Sequence, residues 1–435
     1  MESLRMVREP DASSGVAPAL RTASGIAKGH MALSSAFAAS AERGEPSHRR
    51  VRAERVDTQR FAALAPAFRA LADAAPEANV FVEPAMLEAA QSADPATPIV
   101  VLLAWDADAM DRLVGVWAFA RRGGVLPCLR APAVPFASMG SPVVLADWTE
   151  DAVAAWLGLL NADRGLPKLL DLNPARDSGP FRQALDRLAA RGLCTVRVRA
   201  RHRRAMLESG LDGETYLRST LSNSRRAKLR QLRAKLGRQG EVRYVLHEGE
   251  AVAAAGEEFL ALEALGWKGR RGSAMQSDEA GADFLRRALA GMVGEGAASV
   301  SALTLDGRTI SMCVLLRSGG TAFTWKIAYD EAWGGFSPGY QLALDDTAML
   351  LADPATRRSD SCAAAEVGTM SEIWAERAET ADLYVGVRPG RSPRFMAAMA
   401  YLTLRQLVPE LRRRLKLRSR VKPLMNRLRA LRRRA

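Results

Sequence analysis

The pattern of hydrophobic and polar positions is clearest between Ala297 and Leu351, where it changes from the period of strands to that of a helix. Three β-rich runs are separated by the pairs Asp306–Gly307 and Gly319–Gly320, which supply the positive φ that tight hairpins need. The runs are 298–305, 309–316 and 321–329. Beyond the loop 334–339, apolar residues recur with the helical period. The pattern predicts an antiparallel meander whose last strand leads through a loop into a helix.

The loop that opens this helix is suited to an anion. The first backbone N–H groups of a helix have no partner within it, and the helix dipole adds partial positive charge there. Ser337 and Gly339 are small enough to let a ligand approach the backbone closely. An ordinary connection between strand and helix explains the same residues, because Gly and Pro occur in most loops.

The chain before this region divides into a polar segment and a first folded unit. Residues 1–56 are rich in Ala, Ser, Gly and Arg, so we predict that they are disordered. Met31 is an alternative start, and the serine-interrupted run 31–40 does not favour a signal peptide. A first domain is predicted at 57–205, where a hairpin is followed by a helix, a strand, a helix and a strand.

The same order of elements recurs at 206–389, which predicts a tandem duplication of one α/β unit. In the first copy the loop 138–142 leads into Val143 and Val144 rather than into a helix, so its anion site is expected to be degenerate.

Amphipathic helices are predicted on both sides of the meander. A basic helix at 217–236 presents either a solvated charged face or a positive rim for phosphates or an acidic acceptor. A second helix at 251–265 ends at Gly266, as a helix with a C-cap glycine does. The later pattern predicts a strand at 361–367, a helix at 370–378, a strand at 381–387, and a basic, amphipathic helical tail at 390–435.

Composition indicates a folded protein whose positive charge lies at its ends. Of its 435 residues, 48% are hydrophobic and 25% charged, and no apolar run approaches the ~20 residues that span a bilayer. The net charge is +14, of which residues 412–435 carry +12 and residues 1–56 carry +3. Residues 57–411 therefore carry −1, which argues against a broad nucleic-acid surface on the body.

Four widely separated cysteines, Cys128, Cys194, Cys313 and Cys362, predict neither a zinc site nor a disulfide framework. A reducing cytoplasm fits this usage. Cys362 could serve as a nucleophile, but a small thiol on an apolar strand more often packs in the core, and we favour packing.

Four motifs in order resemble the GNAT-type acyltransferases of the CelD-like group, which is associated with cellulose biosynthesis. They cover about 228–387. The motifs are the helix end 259–270 with Trp267, Lys268 and Gly269; the strand 323–330; the helix-opening Ser337–Pro338–Gly339; and Asp360–Ser361–Cys362–Ala363, followed by Trp374. The resemblance implies an α/β fold of tandem GNAT-like domains, each a mixed, mostly antiparallel sheet flanked by helices.

The resemblance also implies transfer of an acyl group from acetyl-CoA or another acyl-CoA to an amine or hydroxyl, in polysaccharide or cell-envelope metabolism. Such a transfer needs positioned partners, a proton acceptor and oxyanion stabilisation, but neither a covalent nucleophile nor a metal. The implied site residues are, for the donor, Trp325, Lys326, Tyr329, Ser337, Gly339 and Tyr340; for the acceptor, Trp267 and Lys268; and for catalysis, Glu263, Asp330 and Asp360.

Two other functions stay open at this point. An aminoacyl-tRNA-dependent transferase of the FemAB type would use basic surface to bind tRNA, and a non-catalytic adaptor would dock an envelope-assembly complex on the membrane. The tail 412–435 suits an anionic membrane surface, with RNA as the less favoured partner. We expect a cytoplasmic protein that this tail can hold at the inner face of the membrane.

Overall fold

The structure is a computed structural model that describes residues 49–109, 111–363, 368–388, 392–393 and 395–404. The expectations for residues 1–48 and for the tail beyond residue 404 lie outside these residues. The predicted disorder of 1–56 is wrong at its end, because Val51–Val56 is a strand that pairs with Ile99–Asp106 along its whole length. Its Arg and Glu side chains belong to a half-exposed edge strand, whose low hydrophobicity resembles that of a disordered segment.

The described residues form thirteen strands, twelve α-helices and a helix at 395–404, called here the C-terminal helix. Strands β1 to β13 are Val51–Val56, Ile99–Asp106, Leu113–Arg122, Cys128–Ala131, Val143–Val144, Leu169–Arg176, Thr195–Leu207, Val242–His247, Ala298–Leu305, Arg308–Ser318, Thr321–Tyr329, Arg358–Asp360 and Glu376–Gly386. Helices α1 to α12 are Thr58–Ala62, Ala65–Ala74, Pro84–Ala93, Thr149–Ala162, Gly179–Ala190, Gly213–Thr220, Asn223–Gly237, Ala251–Leu265, Trp267–Arg270, Glu279–Val293, Pro338–Ala352 and Thr369–Ile373.

These strands form one sheet, and its two halves have the same arrangement of strands when each is followed from its outer edge to the centre. The order is β1-β2-β3-β4-β6-β13-β7-β12-β11-β10-β9-β8, with β5 beside β3. In each half, four antiparallel strands are followed by a fifth that is parallel to the fourth: β6 beside β4, and β12 beside β11. The final strands exchange halves, because β7 pairs with β12 and β13 pairs with β6. They also pair with each other, at the centre of the sheet.

The predicted fold class is confirmed: a large, mostly antiparallel sheet is flanked by helices, and the meander β9-β10-β11 leads into α11 as expected. The domain limits 57–205 and 206–389 stay a prediction. Within the described residues, no helix has both the length and the apolar composition needed to cross a bilayer.

Aromatic side chains from both halves share one core. Phe81, which precedes α3, has its ring centroid 6.1 Å from that of Phe323 and 6.3 Å from that of Trp325 on β11. Phe284 on α10 packs edge-on against Trp325 at 5.9 Å. The meander is therefore held in place partly by side chains of the first half.

Three element boundaries differ from the sequence prediction. The basic helix predicted at 217–236 is two helices, because Leu221 is extended and the Ser222 hydroxyl caps α7 by accepting from the Arg225 N–H at 3.3 Å. Of the strand predicted at 361–367, residues 361–363 follow the strand Arg358–Asp360 without belonging to one, Cys362 has φ 53°, and residues 364–367 lie outside the described residues. The helix predicted at 370–378 ends at Ile373, because β13 begins at Glu376.

Candidate active site

The two parallel strands of the second half separate soon after they pair. In the described part of the chain, β11 pairs with β12 at Thr321–Phe323 alone, although β11 continues to Tyr329. On its other edge β11 pairs with β10, except at Trp325, which forms a bulge opposite the step between Val314 and Leu315. A bulge bends a strand and redirects its backbone groups. The end of β11 therefore has a backbone edge that no described strand covers.

A cavity of about 420 Å³ lies beside this end of β11. Its walls are the end of α8 with α9, the last residues of β11, the loop and first turn of α11, and the residues that open α12. The predicted site residues that line it are Glu263, Trp267, Lys268, Tyr329, Ser337, Gly339 and Tyr340. The predicted residues outside its lining are Trp325, Lys326, Asp330 and Asp360.

The N-terminus of α11 forms one wall of the cavity. Ser337 adopts a left-handed conformation, with φ 53° and ψ 54°, and its carbonyl accepts from the N–H groups of Tyr340 and Gln341 at 3.0 and 3.1 Å. Pro338 has no N–H, so Gly339 supplies the first backbone donor of the helix. A Cβ at Gly339 would lie 3.4 Å from the ring of Tyr329, so the glycine packs closely against the end of β11.

A buried ion pair forms the opposite wall. Glu263 is 2% exposed, and its two carboxylate oxygens accept from Lys268 Nζ at 2.7 Å and from the Met275 N–H at 2.8 Å. Lys268 Nζ also donates to the carbonyl of Ile327 on β11 at 3.0 Å. The pair therefore joins α8 to the uncovered end of β11.

Lys326 is a partly buried cation behind this wall. Its Nζ lies 4.3 Å from the centre of the Phe136 ring. Burial lowers the pKa of Lys326 to about 8, while the charge of Glu263 opposes this shift and that of Lys268 adds to it. The protein environment therefore disfavours the protonated form of Lys326 relative to water.

The other two predicted catalytic carboxylates take part in structural contacts. Asp330 begins a 3₁₀ turn by accepting from the Ala332 N–H at 2.9 Å, and it pairs with Arg308 at 2.9 Å. Asp360 is fully buried at the end of β12. Its oxygens accept from the Cys362 N–H at 2.8 Å, from Arg176 at 3.4 Å and from Arg204 at 3.5 Å.

The two tryptophans predicted at the site lie in different environments. Trp267 is 43% exposed at the cavity mouth, and Arg271 stacks over its ring at 5.0 Å. Trp325 is buried in the core, where its Nε1 donates to the Phe136 carbonyl at 3.0 Å. Core packing occupies the ring of Trp325, and the predicted place of this residue at the donor site stays a prediction.

The loop of the first half beside Lys326 was missed by the sequence interpretation. Phe136 has a positive φ of 55°, and the carbonyl of Ser138 accepts from Arg204 at 2.6 Å. The sequence signal was the run 138–142, which we interpreted as a degenerate anion loop of its own domain. The described residues contain no group of three or more His, Cys, Asp or Glu side chains arranged to hold a metal ion.

Part of the chain is similar to a known protein family, and the fold is similar to that of solved structures. Residues 223–367 match the family model described as "Acetyltransferase (GNAT) domain". The crystal structure of FemX shares the fold, with a TM-score of 0.54 and 10% identity over 77% of this chain and 96% of that chain. No protein with curated annotation matches the sequence.

Two further solved structures are similar at lower TM-scores. A tandem GNAT protein from the clavulanic acid biosynthesis pathway has a TM-score of 0.44 and 14% identity, over 79% of this chain and all of that chain. L-PGS from Bacillus licheniformis has a TM-score of 0.43 and 13% identity, over 71% of this chain and 88% of that chain. Membership of the CelD-like group stays a prediction. Residues 223–367 of the chain are thus similar to a GNAT acetyltransferase domain, and the chain shares its fold with FemX.

Proposed function

We propose that the protein transfers an acyl group from acyl-CoA to an amine or hydroxyl acceptor in the cavity beside β11. The observation that carries this proposal is that the end of β11 beyond its pairing with β12 lines the same cavity as the N-terminus of α11. An extended chain with amide groups can hydrogen-bond to a free strand edge, and a phosphate can bind at a helix N-terminus. Acyl-CoA, the co-substrate of GNAT domains, has both features.

The residues around the cavity fit this donor. The backbone of Gly339 and the first turn of α11 would hold the pyrophosphate, and the edge at Ile327–Tyr329 would align the pantetheine arm. The thioester supplies an acyl group that is already activated, so no covalent nucleophile of the protein is required. The protein's own part is to hold both partners, exclude water and move one proton.

We assign the proton acceptor to Glu263, the one predicted catalytic carboxylate that lines the cavity. Lys268 holds this carboxylate toward β11, and Asp330 and Asp360 position the ends of β11 and β12. The acceptor would lie at the mouth, near Trp267 and Lys268. The exposed ring of Trp267 beside hydrogen-bonding groups suits a saccharide, whose faces are partly apolar and whose edges are polar.

One feature favours a second candidate, transfer from an aminoacyl-tRNA. Helix α7 carries six Lys or Arg residues and no acidic residue, and its Arg225 stacks over the ring of Tyr340 at 4.6 Å, next to the proposed donor site. A polyanionic donor would be attracted to such a helix.

Direct measurement of donor binding separates the two candidates. Thermal unfolding of the full chain is followed with acetyl-CoA, free CoA or charged tRNA, since a ligand at a hundred times its Kd stabilises by about 2.7 kcal/mol. Release of free CoA is then measured with a panel of amino sugars and neutral saccharides. We expect stabilisation by acetyl-CoA and CoA release that depends on the acceptor. Stabilisation by charged tRNA without any by CoA compounds would refute the proposal in favour of the second candidate.

A further inference from the structure

Exposed apolar side chains gather at one corner of the molecule, away from the candidate active site. Val125, in the turn between β3 and β4, is 84% exposed. Met396 and Leu404, on the C-terminal helix, are 57% and 61% exposed, and Tyr401 is also exposed. Exposed apolar groups that cluster in this way mark an interaction site more often than scattered ones do.

The turn and the helix belong to one surface. Leu126, next to Val125 in the chain, packs against the same small cluster as Met399 and Leu402 of the C-terminal helix. The centre of this cluster is Leu169, Tyr384 and Phe395. The inner side of the helix is thus anchored on the sheet, and the side chains that remain exposed face outward next to the turn.

A cationic groove of about 340 Å³ lies at the same corner. Among the described residues its lining includes Arg164, Lys168 and Arg388, and no carboxylate. Lys168 donates to the carbonyls of Leu160 and Asp163. Burial lowers the pKa of Lys168, the charge of Asp163 opposes this shift, and the charge of Arg388 adds to it.

We propose that this corner, made of the Val125 turn, the groove and the C-terminal helix, docks on a bilayer that contains anionic phospholipid. The exposed apolar side chains enter the interface and the groove binds lipid phosphate. The sequence supports docking on an anionic bilayer, because residues 405–435, which follow the C-terminal helix, contain thirteen Lys or Arg and one acidic residue. A polybasic segment joined to an apolar patch gives the two signals that stable membrane association requires.

The apolar part is tested by co-sedimentation of the full chain with phosphatidylcholine vesicles, with and without phosphatidylglycerol. The double variant Val125→Asp, Met396→Asp should lose at least about tenfold in affinity for the anionic vesicles, because charges would have to enter the interface. The control Leu211→Asp, Leu265→Asp changes exposed leucines elsewhere and should bind as the wild type does. Equal loss in both double variants, or no loss in the first, would overturn the proposal.

The charged part is tested by Arg164→Gln and Arg388→Gln, with Lys228→Gln and Arg238→Gln on or beside α7 as matched controls. Each groove substitution should weaken binding about fivefold, the effect of about 1 kcal/mol per cation near an anionic surface, and high salt should reduce the difference. Inorganic phosphate should displace the protein from vesicles only slightly more than chloride does at equal ionic strength, because it replaces the contacts of the groove but not those of the apolar side chains. Full displacement by phosphate would reassign the groove to a soluble anion. If the groove substitutions weaken binding to tRNA but not to vesicles, the groove would be reassigned to RNA.

Discussion

Replacing Lys326 with Met should make the protein more stable near neutral pH. The ammonium group of Lys326 lies between Phe136, the Glu263–Lys268 pair and the core around Trp325. Its pKa is lowered from 10.5 to about 8, mainly by burial, so the folded state disfavours the protonated form. Met fills a similar volume without a charge.

The size and sign of the effect follow from this pKa. A folded pKa of about 8 against 10.5 in the unfolded chain corresponds to about 3 kcal/mol, because one pKa unit is about 1.4 kcal/mol. Below pH 8 Lys326 is protonated in both the folded and the unfolded state, and the full destabilisation of the folded state is present. Between about pH 8 and 10.5 only the unfolded state holds the proton, so the free energy of unfolding rises with pH and the destabilisation disappears. The advantage of Lys326→Met should therefore be largest at pH 7 and vanish above pH 10.

Urea unfolding of the wild type, Lys326→Met and Lys326→Arg across this pH range measures the effect. Arg stays protonated over the whole pH range, so Lys326→Arg should remain destabilised by its buried charge at high pH and serves as the control. Carbon-13 methylation of the lysines and NMR titration give the pKa of Lys326 directly. A titration near 10.5, or a stability difference between wild type and Lys326→Met that does not change with pH, would refute the reasoning.

Three other substitutions test the proposed roles. Gly339→Val should raise the KM for acyl-CoA about tenfold or more, which is the effect of losing a hydrogen bond to a charged group. Gly339→Ala should raise the KM less. Equal KM values in folded Gly339→Val and wild type would contradict this prediction. Glu263→Gln should lower kcat by about 100-fold with a small change in Tm, and full turnover would remove Glu263 as the base. Asp360→Asn should lower the free energy of unfolding by about 3 kcal/mol, because buried Arg204 loses its carboxylate; urea unfolding at wild-type stability would disprove this.

The part of the site that could be predicted from the sequence is built by local signals. Asp306–Gly307 and Gly319–Gly320 fix the turns of the meander within a few residues of the strands they join. Ser337, Pro338 and Gly339 open α11 in the same local way. Ser337, Pro338 and Gly339 line the cavity together with the end of β11, because this loop joins that strand directly to α11.

The parts that could not be predicted depend on long-range contacts. Trp325 and Phe136 are 189 positions apart, yet their hydrogen bond places the first-half loop beside Lys326. The sequence shows that Lys326 is on a strand, but the burial that lowers its pKa comes from that distant loop. Asp360 likewise resembled a catalytic carboxylate until its arginine partners, Arg176 and Arg204, were located on β6 and β7.

The strand exchange leads to a prediction about the two sequence halves, because neither half contains its complete sheet. Strand β13 belongs to 206–389 but pairs with β6 and β7 of the first half, and β12 has β7 as its second neighbour. Expressed alone, 206–389 would leave β13 without β6 and with only Met206 of its β7 partners, an arrangement that promotes association between chains.

We therefore expect the isolated fragment 206–389 to aggregate or to form dimers through the uncovered edges of β13. Co-expression with residues 49–205 should restore a one-to-one complex, since all but the last two residues of β7 are then supplied. Size-exclusion chromatography with light scattering and amide NMR spectra distinguish these states. A monomeric 206–389 fragment with well-dispersed amide signals would show that the exchange is dispensable and that the predicted domain limits define an independent folding unit.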